Sequence, residues 1–439
     1  MDSHDLEGQE KKIRLIAKIL QGKNLYKAYL KVVGNKGSCG VDGMDVDSLQ
    51  EYLSTHQSEL VREILGNTYL PQAIRGVEIP KQNGKKRLLG IPTVVDRWLQ
   101  QAVSQQLMWK FDLEFSEYSY GFRPRKNMQQ ALQQSLSYIN SGYRDIVDID
   151  LRQFFDEVSH HKILQLIYVK GKCKITLRLI RKWLRSPIQI NGKLHKRRKG
   201  LPQGSPLSPL LSNIMLNELD KYLERNGIKF IRYADDFSLY VRSKSEAKSI
   251  GNGVYIFLRD KLLLPINREK SGIRRPTNFK VLGHSFAAIY KKGSKGQYQL
   301  VVTESSWARL KRKLKRATKK TQGYSFKERL KAIKLIYQGW INNYRMASIY
   351  TKLKKVDEWL RNRLRYCIWH DWKKPERKRK NLIRLGIDHG QAYAWSRTRM
   401  GGWAVAQSPI LGTTITLSRL KRKGYIPMVD YYSNVKFSI

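Results

Sequence analysis

FIRYADDFSLYV, residues 230–241, sets two adjacent aspartates, Asp235 and Asp236, inside a run of apolar and aromatic residues. Neighbouring carboxylates repel each other and cannot be buried unpaired. The run therefore reads as strand, tight turn and strand, with both acids near the tip. A second segment, IVDIDLRQFF from Ile146, alternates apolar and polar up to Asp150 and then turns bulky, as a buried strand ending in a turn does. Placed in one sheet, the two segments bring three carboxylates to one end, an oxygen-rich site of the kind hard divalent cations prefer. Two metals ~4 Å apart can activate an attacking hydroxyl and steady the leaving oxygen of an in-line phosphoryl displacement. An Asp-Asp pair standing alone is more often a polar turn, so the neighbouring segments have to decide.

Composition narrows the substrate. The 439 residues hold 84 Lys and Arg against 36 Asp and Glu, a net charge of +48 with a pI near 10.2. A chain so basic repels itself and calls for a polyanionic partner. Nucleic acid fits, because each neutralised phosphate releases a condensed counterion. Affinity for a polyanion plus a carboxylate metal site means nucleotidyl transfer or phosphodiester hydrolysis. The three cysteines, Cys39, Cys173 and Cys367, are far apart, which excludes a disulfide framework and paired zinc ligands. The acidic opening MDSHDLEGQE is neither a secretory signal nor a transit peptide, and there is no apolar run of membrane-spanning length. The expectation is a protein of the bacterial cytoplasm with no membrane partner.

Along the chain, residues 11–33 have helical spacing broken at Gly22, and a glycine-rich loop, GNKGSCGVDG, follows. Residues 74–92 read as a hairpin around Asn83-Gly84, and 93–113, 127–140 and 206–226 as helices, the last opening after LPQGSPLSP. This order predicts an α+β fold. From Glu304 onward the composition shifts, with 33 Lys and Arg against 8 Asp and Glu, a net +25 in 136 residues. Three apolar stripes with basic outer faces run through this region: Trp307, Leu310, Leu314; Leu330, Ile333, Ile336, Tyr337, Trp340; and Leu353, Val356, Leu360, Leu364, Ile368. They predict a small helical bundle.

In this order, the hairpin with Lys81 and Arg87, the block DIDLRQFF, the loop LPQGSPLSP and the string YADD resemble the fingers and palm of reverse transcriptases. They most resemble the enzymes encoded by bacterial group II introns. KAYLKVVGNKGSCGVDG resembles the N-terminal extension of that branch, and YSYGFRP (118–124) is typical of it. YQGWINNYRMAS and RLRYCIWHDWKKP resemble its maturase, or thumb, domain. The resemblance implies a right-hand polymerase: an N-terminal extension over 1–60, fingers and palm over 61–300, an all-α thumb/maturase domain over 304–385 and a basic C-terminal segment over 386–439. It implies that Asp150, Asp235 and Asp236 hold two Mg²⁺ ions, with Mn²⁺ able to substitute. Lys81 and Arg87 would grip the incoming triphosphate, Lys as a point charge and Arg as a fork of donors. Phe155 would gate the sugar 2′ position, Gln203 and Lys270 would contact the nucleotide, and Gly204 would let backbone approach the template. Gly283, in VLGH, falls where the family meets the primer end. Lys311, Arg312, Lys315 and Arg316 would contact nucleic acid.

The implied activity is RNA-directed DNA synthesis. The implied partners are structured intron RNA, an RNA template with a DNA primer, deoxynucleoside triphosphates and target DNA. Splicing would be assisted by steadying the RNA's own fold. Intron-encoded proteins often continue into an HNH endonuclease, and the missing cysteine pairs predict that this one does not. A free-standing relative used by the host in DNA repair or phage defence would have a similar palm. A pure RNA-binding splicing factor with a dead polymerase would not keep all three aspartates with Lys81 and Arg87. The remaining candidates read as ordinary structure: His160 and His161 as cap or packing groups, RKRK (377–380) as solvated RNA-facing charge, and Trp340, Trp359, Trp369 and Trp372 as core.

Overall fold

The computed structural model describes residues 15–436, apart from 81–83, 85 and 291–295. The chain forms two compact units, divided between Arg275 and Pro276.

The centre of the first unit is a four-stranded antiparallel sheet in the order β6-β7-β3-β8, built from β3 (Asp145–Ile149), β6 (Lys229–Tyr233), β7 (Asp236–Val241) and β8 (Gly272–Arg274). Four of the five residues of β3 are buried and Asp148 alone is half-buried, as in a strand covered on both faces, where apolar residues run nearly without a break. The helix Ser208–Arg225 is buried along Leu210, Leu211, Ile214, Met215, Leu219 and Leu223. The helix Lys244–Phe257 packs on β3 and β7 through Ala247 and Val254. A second sheet, in the order β2-β1-β4-β5, joins the antiparallel hairpin of β1 (Ile74–Pro80) and β2 (Lys86–Ile91) to β4 (Ile188–Ile190) and β5 (Lys193–His195). Lys81 and Asn83 lie outside the described residues.

The expected helices form at Val94–Phe111 and Met128–Asn140, the latter opened by a capping box between Asn127 and Gln130. Asp96, buried in the first turn of the former, is satisfied by Tyr69, Trp183, Thr93 and the backbone N–H of Gln72. Its role is structural.

The second unit opens with a three-stranded sheet (β9, Lys280–Val281; β10, His284–Ala288; β11, Tyr298–Val302). Three helices follow, Glu304–Ala317, Phe326–Tyr344 and Tyr350–Asp371. Their buried positions include Trp307, Leu310, Leu314, Leu330, Ile333, Tyr337, Leu353, Val356, Leu360, Leu364 and Ile368, so the stripes are core. Trp369 is buried with them, while Trp340, Trp359 and Trp372 are half-buried. The final stretch is helical too and is pinned at Asp357, which accepts from Tyr425 Oη (2.6 Å), Met428 N–H (2.9 Å) and Arg361 Nη1 (2.6 Å). Among the described residues no helix is long and apolar enough to cross a membrane.

Candidate active site

β3 and β7 pair with Ile149 opposite Phe237. One step further along this register sets Asp150 opposite Asp236 at the open end of the sheet. Asp235 sits in the two-residue turn that joins β6 to β7, where Tyr233 pairs with Asp236. Ala234, the other turn residue, has φ +60°, a conformation for which glycine would be the easier choice. The turn holds because its surroundings over-determine it. Arg232 is fully buried and donates from Nε and Nη2 to the two oxygens of Asp220 (2.8 and 2.6 Å). Its Nη1 donates to Asn213 Oδ1 and to the Ala234 carbonyl, both at 2.9 Å. The YSYGFRP block lies alongside: Tyr120 N–H donates to Arg232 O, Arg232 N–H donates to Tyr118 O, and Asn213 donates to Gly121 O. A Cβ on Gly121 would stand 2.3 Å from the Ala234 nitrogen, so only glycine lets the block lie this close to the turn.

The acids crowd one another. Burial pushes the Asp235 carboxyl above the usual carboxylate range, and Asp150 adds to this while Arg87 opposes it. Asp236 is exposed at the sheet end. Its carboxyl is nevertheless pushed up to about 6, first by loss of water around it and then by Asp235, Asp150 and Asp148, with Lys270 opposing. Asp150 is held by the NREKS turn. Asn267 donates to its Oδ2 (2.9 Å), the Ser271 hydroxyl accepts from its N–H (3.0 Å), and Lys270 Nζ stands 3.5 Å from Oδ2. Asn267 and Ser271 escaped the sequence reading, although they share one short turn with Lys270. Asp148, beside Asp150, is engaged by Arg274 (2.8 Å).

Beside the acids lies a cavity of about 410 Å³, within the ~300–1,000 Å³ usual for small-molecule sites. Arg87, Phe155, Gln203 and Gly204 all line it, together with Arg97 and Phe122, which the sequence reading did not single out. Arg87 Nε donates to Gln203 Oε1. Gly90 N–H on β2 donates to the Gln203 carbonyl (2.9 Å), which ties the LPQG loop to the hairpin. Gly204, at φ +132°, packs so closely there that a Cβ would stand 2.5 Å from Gly90 O. Ser205, where many relatives have a second glycine, donates to Gln100 Oε1 (2.8 Å) and accepts from Leu207 N–H, so it caps the loop.

The three aspartates do not line this cavity, and among the described residues no three acidic, histidine or cysteine groups stand close enough to share one ion. The donor set still suits a hard cation. It is all carboxylate, it is gathered at one sheet end, and its mutual repulsion is what a divalent ion relieves. His160 opens the helix His160–Gly171 and bonds through Nε2 to Gly200 O (2.8 Å), a packing role as expected.

Comparisons with known proteins give the family. Residues 79–286 match the family described as "Reverse transcriptase (RNA-dependent DNA polymerase)", and residues 307–386 match "Group II intron, maturase-specific domain". The protein YkfC of Escherichia coli (strain K12) is 30% identical over 331 residues, covering 66% of this chain and 86% of YkfC. The group II intron-encoded protein LtrA of Lactococcus lactis subsp. cremoris is 35% identical over 220 residues, covering 50% of this chain but only 36% of LtrA. Among solved structures, a chain of a partial Cas6-RT-Cas1–Cas2 complex overlaps 56% of this chain and 43% of its own length at 25% identity, with a TM-score of 0.36. The matched families define an RNA-directed DNA polymerase. More narrowly, the chain belongs to the group II intron reverse transcriptases, with palm and maturase domain in one polypeptide.

Proposed function

We propose that polymerisation takes place at the open end of the β6-β7-β3-β8 sheet, where Asp150, Asp235 and Asp236 hold two Mg²⁺ ions and Mn²⁺ can substitute. The observation that supports this reading is the β3–β7 register, which sets Asp150 opposite Asp236 beside a cavity lined by Arg87, Phe155, Gln203 and Gly204. The metals would supply activation of the primer 3′-hydroxyl and stabilisation of the leaving oxygen. Arg87 offers its fork of donors to the triphosphate and is aimed by its bond to Gln203. Lys81 would complete that grip. Lys270 is placed to offset charge near Asp150. The Phe155 ring, half-buried at the cavity wall, takes the space a 2′-hydroxyl would need, so deoxynucleotides are preferred.

Phe155→Ala should therefore raise ribonucleotide incorporation relative to deoxynucleotide. The measurement is the ratio of kcat/KM for the two substrates on one template, and an unchanged ratio would remove Phe155 from this role.

The same protein binds its intron RNA, assists splicing in the bacterial cytoplasm by steadying the RNA's fold, and copies it into DNA at the target site. Lys311, Arg312, Lys315 and Arg316 are exposed on the helix Glu304–Ala317, facing away from the buried Trp307, Leu310 and Leu314. Neutralising all four should flatten the dependence of log affinity on log salt by roughly 0.7–0.9 for each phosphate no longer neutralised. Affinity should fall by a similar factor across RNA sequences. Equilibrium binding from low to high salt checks this, and an unaltered slope would take the helix out of the RNA interface.

A further inference from the structure

A second and larger cavity, about 920 Å³, opens elsewhere on the first unit. One wall is a face of the helix Lys174–Arg185, with Arg178, Arg181 and Arg185 at i, i+3 and i+7, and another is the segment Arg197–Lys199. The acid lining it, Glu157, is already paired with Lys199 (2.6 Å). Arg178, Arg181, Arg185 and Arg198 have no ion-pair partner among the described residues. Ordinary solvated helix faces mix both signs, so an unopposed arginine stripe in a concave surface needs a reason. Arg197 sharpens the point. Its Nη2 donates to Gly200 O (2.7 Å), while its buried Nη1 has no hydrogen-bond partner. Donors left without acceptors in a basic hollow are suited to phosphate oxygens, which arginine meets with paired N–H groups. The hollow is more than twice the volume of the nucleotide cavity and is lined by a stripe of charge, as a run of phosphates requires.

None of its lining residues lines the nucleotide cavity, yet one short segment touches both. Lys199 bridges to Ser159, Gly200 N–H donates to Val158 O (2.7 Å), and Leu201 N–H donates to the carbonyl of Phe155 (2.6 Å). Two residues later the same segment delivers Gln203 and Gly204 to the nucleotide cavity. We propose that this cleft is a second RNA-phosphate site, gripping a backbone that is not the template–primer duplex, and that the segment Arg197–Gly204 relays its occupancy to the nucleotide pocket. The proposal rests on the polymerase reading above.

The test uses the full chain, loaded with primer–template and stalled by a chain-terminating nucleotide, to which a 3′-blocked RNA hairpin is added. The hairpin is expected to bind the loaded wild type with a salt-dependent affinity. The variant Arg178→Gln, Arg181→Gln, Arg185→Gln should bind it more weakly, with the log–log salt slope reduced by about 0.9 for each arginine withdrawn from a phosphate, roughly 2.7 in all. The Arg→Lys version at the same three positions keeps the charge and should keep most of the slope. In running extension assays the bound hairpin should lower KM for the incoming deoxynucleotide in wild type and not in the Gln variant. Failure of the hairpin to bind the loaded complex, or equal slopes in wild type and Gln variant, would overturn the site. A slope reduced equally in the Gln and Lys variants would count against it as well. Hairpin binding that leaves KM unmoved would overturn the relay. Extension without the hairpin is read in the same assay, so a failure of the polymerase reading would appear separately.

Discussion

Asp235→Ala is expected to abolish primer extension while leaving RNA affinity close to wild type. Its carboxylate stands in the β6–β7 turn, opposite the Asp150 end of β3, and nothing else in that turn can replace an oxygen ligand. The fall in rate should exceed the roughly 10–100-fold typical of residues that only orient a metal ligand. Binding of RNA should persist because it depends on basic surface spread over both units. Stability gives an independent check. Asp235 is the strongest charged neighbour holding the Asp236 carboxyl up near 6, so its removal should let Asp236 ionise at lower pH and should not destabilise the metal-free protein. Single-turnover extension, filter binding and denaturant unfolding on one preparation would decide it. An extension rate near wild type would show that the acid is misassigned, and a large fall in stability would show that it is structural.

The polymerase half was legible because its chemistry is written in short, dense blocks. An acid pair standing alone reads as a polar turn, and what decides YADD is the second acidic strand end in DIDL, together with the ordered blocks around both. The bundle was legible from the apolar spacing of Leu353, Val356, Leu360 and Leu364, which helical geometry alone requires. Support for the site was harder to see. Asn267 and Ser271 look like ordinary turn residues, and only the fold brings them onto Asp150. Arg97 and Phe122 reach the nucleotide cavity from distant segments with no local pattern. The arginines at 178, 181 and 185 were not singled out in the sequence, because that they share a hollow with Arg197 depends on how two segments fold together. The block YSYGFRP was recognised by likeness alone, with no role attached to it. Its physical reason is the close approach of Gly121 to the Ala234 turn.

Arg232→Ala should cost the first unit about 3–5 kcal/mol, the range for removing one partner of a buried ion pair. Arg232 and Asp220 are both fully buried and joined by a two-pronged contact, so truncating the arginine strands a carboxylate with no water to solvate it. Burial already pushes the Asp220 carboxyl above its usual range, with Arg232 opposing. Without Arg232 it must rise further. A folded-state carboxyl pKa above the unfolded value means that the folded protein keeps a proton the unfolded chain releases. The penalty should therefore be smallest at acid pH and should grow as pH rises from about 4 toward neutrality. Denaturant unfolding of variant and wild type at several pH values measures this, and a small penalty independent of pH would show that the pair is not desolvated. Catalysis supplies a second reading, because Arg232 also holds the Ala234 carbonyl and Asn213 and so braces the turn that presents Asp235. A double variant, Arg232→Met with Asp220→Leu, removes the stranded charge and should regain much of the stability. It cannot regain the bond to Ala234 O. If it refolds firmly yet extends primers poorly, the pair is there to aim the acid, and its net contribution to stability is secondary.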